Sequence, residues 1–431
     1  MSQSESAVPA EPPPAAPAPH DAFAALRYPA FRNLMGGAFL FTIGIQIQEV
    51  VIGYELYTMT HRPIVLGLIG LAEAIPFISL ALFGGLLADR RDKRKLILGS
   101  VSFVVAGSAT LLWALLPATR QWMSQTVLLG VIYGVIAAFG LARGLFAPAA
   151  SAMSAFLVPR EIYSNSSAWR STAWQAGAIL GPVSAGFLYA AFGLAATLGL
   201  VVGLFIAALA LFSGTPPQPP RPIAAGEVPA NLWQSLREGI DFVLGNRIIW
   251  YALSLDMFSV LFGGVVAILP VFAADILQVG PQGLGVLRAA PSVGAMLTLL
   301  ACTRYPPTTH AWRNLLIAVA GFGVMTLIFG LSRIFWLSAA ALFVSGAFDS
   351  ISVVIRNTIL QVLPPDHLRG RVLSVNSIFI TSSNELGAFQ AGASASIFGA
   401  TRSVLIGGTL TLLIVGTIWR RSTDLFKVRL N

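Results

Sequence analysis

Long apolar stretches separated by short polar turns run along almost the whole chain. An α-helix needs about 20 apolar residues to cross a bilayer. Stretches that approach this length lie at residues 34–57, 64–88, 96–116, 127–157, 173–192, 195–212, 248–273, 284–301, 315–331, 335–363, 372–398 and 404–419. A polar gap separates the first six from the last six. The pattern predicts an all-α integral membrane protein with twelve transmembrane helices in two six-helix bundles.

Composition supports this fold class. The chain has 431 residues, of which 56% are hydrophobic and 10% are charged, whereas a soluble domain carries about 25% charged residues. A lipid bilayer is therefore an expected partner. The four histidines lie in the tail and loops, and the sequence shows neither a metal-ligand cluster nor a nucleophile–base pair. We expect no enzyme activity, no cofactor and no metal site.

The lysines and arginines predict the orientation. Nineteen of the 27 fall on the side of the predicted N-terminus, four on the opposite side and four within spans. The positive-inside rule places both termini and the central connector in the cytoplasm. Topology thus accounts for the net charge of +9 without a nucleic-acid partner. The predicted domains are a disordered Pro/Ala-rich tail without a signal peptide (1–27), an N-terminal bundle (28–213), a connector (214–246), a C-terminal bundle (247–420) and a C-terminal tail (421–431).

An internal repeat links the two bundles. Gly186 corresponds to Gly392 and Gly193 to Gly399, in both cases at an offset of 206 residues. These glycines flank "GFLYAAFG" and "GASASIFG", which end the fifth and eleventh spans. We prefer a parallel duplication of six helices to a chance match of glycine-rich helices. Such a duplication is typical of transporters whose halves rock about a site at the membrane midplane.

The segment "GGLLADRRDKRK", residues 84–95, places seven charged residues between the second and third spans. Its cations are expected to hold this turn on the cytoplasmic side. The positive-inside rule does not explain Asp89, which lies at the membrane edge before these cations.

The segment resembles the signature loop of the major facilitator superfamily. The matching positions are Gly85, Leu87, Ala88, Asp89, Arg90, Lys93 and Arg94, and Asp92 stands where many members have glycine. The resemblance implies that Asp89 lies near the amino end of the eleventh helix, at about Arg371, where the helix dipole favours a carboxylate. Asp89 would then latch the two halves together in one state only.

Further segments resemble the enterobactin-exporter and macrolide-efflux branch of that family, so that the similarity covers about residues 31–419. These segments lie at residues 55–77, 269–295, 368–372 and 383–392. The resemblance implies a central cavity lined by helices 1, 4, 7 and 10. Candidate cavity residues on such helices are Gln46, Gln48, Tyr54, Phe258, Phe262 and Asn357. "GPVSAG" resembles the antiporter motif of helix five, with Gly181, Pro182 and Gly186, although ordinary packing of small residues also explains it.

Ionisable residues within the spans need a reason, because each costs roughly 2.5–3.5 kcal/mol at a helix centre. Arginine stays charged and needs a partner, so we expect buried charge partners for Arg143, Arg170, Arg288 and Arg356. A carboxylate can take up a proton when desolvated. The proton-coupling candidates are Glu73, Asp256, Glu385, Glu49 and Asp349, whereas Glu55 is expected at the outer interface. Ion pairs that lock helix packing remain the alternative explanation.

Asp349 and Arg356 share a helix face but are separated by a rise of about 10 Å. We therefore expect each to find its partner on another helix.

The leading hypothesis is proton-coupled export of a siderophore- or drug-like molecule across the bacterial cytoplasmic membrane, by a monomer with alternating access. The alternatives are uptake by a symporter or facilitator and, less favoured, a non-transporting receptor.

Overall fold

A computed structural model describes the backbone of residues 21–218 and 232–427, with side chains except those of residues 81–90 and 232–236. The described chain is almost entirely helical and contains no strand. In the first half, α1 spans Pro29–Thr60, α2 Pro63–Arg90, α3 Lys93–Leu115 and α4 Gln125–Phe156. The fifth and sixth predicted spans form α5, Tyr163–Ser213, which breaks at Gly193 where φ is 76°.

The second half repeats the pattern after a helix that the sequence did not predict. This connector helix, α6, spans Leu232–Gly245. It is followed by α7 (Arg247–Gly263), α8 (Gly280–Arg304), α9 (Ala311–Leu331), α10 (Phe335–Val362), α11 (Asp366–Phe398) and α12 (Ala400–Arg421). The predicted span at residues 248–273 is not one helix. After Gly263 it continues as the short helical turns Val266–Ile268, Leu269–Val271 and Phe272–Ile276.

The two halves pack their helices in the same way. In the first half α1 packs on α5, α2 on α4, and α3 on both α4 and α5. In the second half α7 packs on α11 and α12, α8 on α10, and α9 on both α10 and α12. The halves meet through α2 with α11 and α5 with α8. The predicted two-bundle, twelve-helix fold is therefore confirmed.

The repeated glycines occupy equivalent positions. Gly193 and Gly399 both have positive φ angles, 76° and 84°, a conformation that glycine adopts without strain. Gly193 separates the fifth span from the sixth, and Gly399 separates α11 from α12. The same break is thus made at the same point of each half.

The other glycine pair lies where the halves touch. A Cβ on Gly186 of α5 would lie 2.4 Å from the carbonyl oxygen of Pro281 in α8. A Cβ on Gly392 of α11 would lie 2.6 Å from Cα of Gly67 in α2. Both contacts belong to one end of the molecule, which we call the His61 end because α1 ends there. The opposite end, where α3 begins, is the Lys93 end.

The surface is that of a membrane protein. Large apolar side chains stay exposed, such as Leu300 at 61% and Ile397 at 74%. Ten helical segments of the described chain are long and apolar enough to cross a membrane, and the one at Arg160–Ser213 contains two predicted spans. The polar α11 is outside these ten. The chain is a multi-pass membrane protein.

Residues 21–27, which we expected in a disordered tail, are ordered against α5. The segment Ala25–Arg27 forms a 3-10 turn. Asn165 accepts a hydrogen bond from the Ala25 amide and donates one to the Ala22 carbonyl, at 3.0 and 2.8 Å. The ordered N-terminal bundle thus begins before residue 28. The remainder of the predicted tail, residues 1–20, lies outside the described residues.

Candidate functional site

A cavity of about 420 Å³ lies between the two halves. Helices α1 to α4 line it from the first half, and α7, the turns after it, α8 and α11 line it from the second. The resemblance implied a lining by helices 1, 4, 7 and 10, but none of the described lining residues belongs to α10. Helices α2, α8 and α11 contribute instead, because they carry the contacts between the halves.

Five ionisable side chains face this cavity: Glu49, Glu73, Arg143, Arg288 and Glu385. Each belongs to a different helix. Glu73 is ten residues into α2, about 15 Å along the helix axis, so it lies near the middle of a hydrocarbon layer about 30 Å thick. The sequence predicted all five as unusual membrane charges, and the structure brings them together.

Arg143 joins two carboxylates. Its Nη1 lies 2.8 Å from Oε1 of Glu73, within the first half, and 3.5 Å from Oε1 of Glu385, across the boundary between the halves. The Glu73 and Glu385 side chains are only 18% and 14% exposed, whereas Arg143 is 53% exposed and faces the open cavity. The longer distance makes Glu385 the less completely paired of the two carboxylates.

Arg288 and Glu49 form a second link between the halves. Nη2 of Arg288 lies 2.5 Å from Oε2 of Glu49. Arg288 comes from α8 in the second half and Glu49 from α1 in the first. Relative movement of the halves therefore acts directly on this pair and on Arg143–Glu385.

Two glycines allow the charged helices to approach. A Cβ on Gly140 of α4 would lie 2.4 Å from the carbonyl oxygen of Glu73, and one on Gly70 of α2 would lie 3.0 Å from that of Glu385. Asn384 adds an exposed amide to the cavity. Sequence analysis missed these three residues, although Gly70 lies three residues from Glu73 and Asn384 precedes Glu385.

The predicted substrate residues divide into two groups. Gln46 and Gln48 line the cavity, and Gln48 accepts a hydrogen bond of 2.7 Å from Ser108. The other four, Tyr54, Phe258, Phe262 and Asn357, are not among the described lining residues. Tyr54 packs edge-on against Tyr189, and Phe258 stacks on Phe262.

A second charge cluster is confined to the second half. Arg356 of α10 forms an ion pair with Asp256 of α7, and these side chains are only 3% and 7% exposed. As expected, Arg356 thus pairs with another helix. Asp349 has no hydrogen bond or ion pair among the described residues. None of the three lines the cavity.

Two further charges lie in settings that differ from those we expected. Arg170, predicted as a buried partner, is exposed and donates a 2.7 Å hydrogen bond to the Ser151 hydroxyl. Glu55, predicted at the outer interface, is buried at the His61 end. It pairs with Arg120 at 3.0 Å and accepts a 2.6 Å hydrogen bond from the Tyr189 hydroxyl.

The signature segment is described in part. Asp92 caps α3 by accepting hydrogen bonds from the amides of Arg94 and Lys95, at 2.9 and 3.3 Å, and from that of Gln218 at 3.4 Å. Lys93 is buried with its ammonium 5.1 Å from the Phe156 ring centroid.

The expected latch cannot be assigned from the described side chains. Gly85, Asp89 and Arg90 belong to residues 81–90, whose side chains lie outside the described part of the chain. Arg371, where we expected Asp89, instead forms an ion pair with Glu238 of the connector helix.

The helix-five motif lies where α5 packs on its neighbours. Gly181 lets α5 approach Gln46 of α1, since a Cβ there would lie 2.5 Å from that of Gln46. The carbonyl oxygen of Pro182 faces Gly285 of α8, next to the Gly186 contact. The motif thus borders both the cavity helix α1 and the other half.

A metal site is not formed by the described side chains, because no three of their His, Cys, Asp or Glu residues are grouped to hold an ion.

Comparison with known proteins agrees with this geometry. A family model described as Major Facilitator Superfamily matches residues 34–388. The chain is 28% identical over 403 residues to the enterobactin exporter EntS of Shigella flexneri, which covers 90% of this chain and 92% of the relative. It is equally similar, with the same coverage, to EntS of Escherichia coli O1:K1 / APEC.

Solved structures share the fold. A POT family transporter in complex with a thioalcohol-conjugated peptide matches 92% of this chain and 96% of its own, with a TM-score of 0.71 and 11% identity. A bacterial homologue of the human lysosomal transporter Spinster, in an inward-facing and unoccupied conformation, matches 92% and 97%, with a TM-score of 0.69 and 16% identity. At these identities the likeness concerns the fold alone.

Proposed function

Because this chain belongs to the Major Facilitator Superfamily, we propose that it exports a small organic molecule across the bacterial cytoplasmic membrane in exchange for protons. The chain is a membrane transporter and not an enzyme, since its family and its named relatives are transporters. Direction, coupling ion and mechanism form the proposal.

The observation that carries the proposal is the charged cavity between the halves. Both Arg143–Glu385 and Arg288–Glu49 cross the boundary, at 3.5 and 2.5 Å. If one half rocks against the other, as in alternating access, these pairs must separate or exchange partners. An event that alters their charges therefore biases the equilibrium between the two states.

Glu385 is our first choice for the proton carrier. It is largely shielded, it belongs to the second half, and its partner Arg143 lies closer to Glu73. Protonation of Glu385 would release the cross-boundary contact and leave Arg143 with Glu73. Glu73 and Glu49 share the same charge network. We place Asp256 and Asp349 lower, because they lie away from the described cavity lining.

Export is the proposed direction for two reasons. The relatives that cover most of this chain are named enterobactin exporters, and the helix-five motif resembles that of antiporters. A siderophore- or drug-like substrate suits a cavity of about 420 Å³, which falls within the range for organic ligands.

The proposed membrane arrangement follows from the arginines and lysines. The Lys93 end faces the cytoplasm together with both termini, so the close glycine contacts lie at the outer end. Two bundles within residues 28–213 and 247–420, joined by a cytoplasmic connector, would act as the moving bodies of a monomer.

Inverted membrane vesicles test direction and coupling together. A catecholate siderophore, a macrolide and a lipophilic cation are each offered outside vesicles that carry an imposed pH gradient, acidic inside. We expect at least one compound to accumulate inside the vesicles, and collapse of the gradient to abolish accumulation. Accumulation that does not depend on the pH gradient contradicts proton coupling. Movement of the compound that is driven by the gradient only in the opposite direction, out of the vesicles, indicates a symporter. If no flux occurs in either direction, the receptor alternative gains support.

A further inference from the structure

The charges of the central cavity do not balance. Three carboxylates, Glu49, Glu73 and Glu385, face two guanidinium groups, Arg143 and Arg288. With all five ionised, the described lining carries one excess negative charge. The remaining polar groups of the lining are the neutral amides of Gln46, Gln48 and Asn384, which leave this excess unchanged.

The excess charge is concentrated at Glu385. Glu49 has Arg288 at 2.5 Å, and Glu73 has Arg143 at 2.8 Å. Glu385 shares Arg143 at 3.5 Å. Both guanidinium groups are thus already engaged by closer carboxylates. An anionic substrate would add to this excess of negative charge, whereas a cation would meet a carboxylate that lacks a partner of its own.

The rest of the cavity wall favours a cation that carries a large apolar group. Aliphatic side chains form much of the lining, and Phe139 adds an aromatic ring. A low-dielectric wall strengthens the attraction between a carboxylate and an organic cation. An aromatic ring attracts a cation through its π face. Charge and apolar surface therefore occur within one cavity.

We propose that the cavity selects amphipathic organic cations and that Glu385 is the residue that determines this charge preference. The inference rests on the proposed transport function and deepens it. A proton and a cationic substrate would compete for the same carboxylate, so that binding of one releases the other. Glu385 is a binding and specificity residue in this account.

Two ions of nearly the same shape and opposite charge test the inference. Tetraphenylphosphonium and tetraphenylborate are titrated against the full-length protein in lipid nanodiscs, with empty nanodiscs as the background for lipid partitioning. We expect specific saturable binding of tetraphenylphosphonium and a clear preference for it over tetraphenylborate. Glu385→Gln should weaken tetraphenylphosphonium binding at least tenfold, whereas Glu385→Asp should retain most of it.

The controls separate charge from folding. Glu161→Gln removes an exposed carboxylate outside the cavity lining and should leave binding unchanged. Monodisperse elution and an unchanged melting temperature must accompany the Glu385→Gln result. Binding of tetraphenylphosphonium should also weaken as the pH falls. The charged groups around Glu385 in that titration are Arg143, Glu73, Glu49 and Arg288, from α4, α2, α1 and α8.

Several outcomes would overturn the charge preference. They are equal binding of the two ions, preference for tetraphenylborate, absence of saturable tetraphenylphosphonium binding, or unchanged binding in Glu385→Gln. If a neutral or anionic compound is still exported against its gradient in vesicles, only the charge preference is wrong. If no compound of the vesicle panel is moved by the pH gradient, the proposed function fails as well.

Discussion

Arg143 is the residue on which the charge balance of the cavity depends most directly. It is the guanidinium group next to both Glu73 and Glu385, and those two carboxylates come from different halves. Without it, two shielded carboxylates would face each other across the boundary. One residue thus affects both the stability of the observed arrangement and the link between the halves.

Arg143→Leu should lower the free energy of unfolding by about 1–3 kcal/mol, because it leaves polar groups in the cavity without a partner. The value stays below that of a fully buried pair, since about half of the Arg143 side chain is exposed. Unfolding in a titration with denaturing detergent measures the change. A double variant with Glu385→Gln should be less destabilised than the sum of the single variants, and strict additivity would show that the two residues do not interact.

The pair Asp256–Arg356 should behave as a structural element. Arg356→Met leaves a carboxylate buried without its cation, which typically costs about 3–5 kcal/mol. Replacing both residues, as in Asp256→Leu with Arg356→Met, should restore most of the stability. Unfolding of both variants in a titration with denaturing detergent measures the change in stability. Restored stability together with loss of gradient-driven transport in the double variant would instead assign this pair a role in coupling.

At this scale the sequence predicted the charges but not all of their settings. An arginine within an apolar span requires a partner, and Arg143, Arg288 and Arg356 each have a carboxylate. Which carboxylate pairs with a given arginine, however, depends on how the helices turn toward each other. Arg170 shows the limit, because its position at the Lys93 end of α5 leaves it exposed beside Ser151.

Among the helices, the close pairs α5–α8 and α2–α11 hold the His61 end together. Gly186 and Gly392 permit contacts that any side chain would disturb. The hydroxyl of Tyr57 in α1 also hydrogen-bonds to Asp275 in the turns after α7. In the proposed alternating access, these contacts would have to separate before the cavity could open at the His61 end.

Gly186→Ala should separate α5 from α8 at the His61 end, because its Cβ would lie 2.4 Å from a backbone oxygen. Spin labels on these two helices should report a longer or broader distance distribution. Gly134→Ala is the matched control, since a Cβ there has nothing within 4 Å, and its distances should equal those of the parent protein. An unchanged distribution in Gly186→Ala would show that this glycine does not hold the helices together.

Asp92 gives a second prediction for an element. Asp92→Ala removes the cap of α3, a change that costs about 0.5–2 kcal/mol locally, and it releases the amide of Gln218. Hydrogen exchange should therefore speed up at Arg94 and Lys95. Asp92→Asn retains a capping oxygen and should exchange as the parent does. Equal exchange in the alanine variant would mean that the cap contributes nothing measurable.

Periodicity and hydropathy predicted where most helices lie but not their internal breaks. The span at residues 248–273 stays mostly apolar on both sides of Gly263, so hydropathy alone does not mark the end of α7 there. The local signals for a break are Gly263, Gly264 and Pro270, which a hydropathy pattern does not register. The sequence also did not predict that α10 is absent from the described cavity lining. A sequence shows which residues share a face of one helix, whereas a cavity depends on which faces of several helices meet.

Across the whole molecule, the duplication inferred from four glycines is visible in the packing. The main helix contacts of the first half have counterparts in the second, and the contact of α2 with α11 corresponds to that of α8 with α5. Such symmetry is what a rocking mechanism requires. The charged residues do not follow this symmetry. The ion pair Arg143–Glu385 crosses the boundary between the halves, whereas Asp256–Arg356 remains within one half. The coupling that we propose lies at this asymmetric feature.

Proteoliposomes containing the parent protein or Glu385→Gln test the central claim most directly, with one transported compound measured in two modes. Exchange of labelled for unlabelled substrate needs only a cavity that opens to alternate sides, whereas accumulation against a gradient also needs proton coupling. We predict that Glu385→Gln retains exchange, measured at a substrate concentration raised to offset its weaker binding, and loses accumulation driven by the pH gradient, while the parent performs both. Accumulation by Glu385→Gln at the parent's rate would contradict the account.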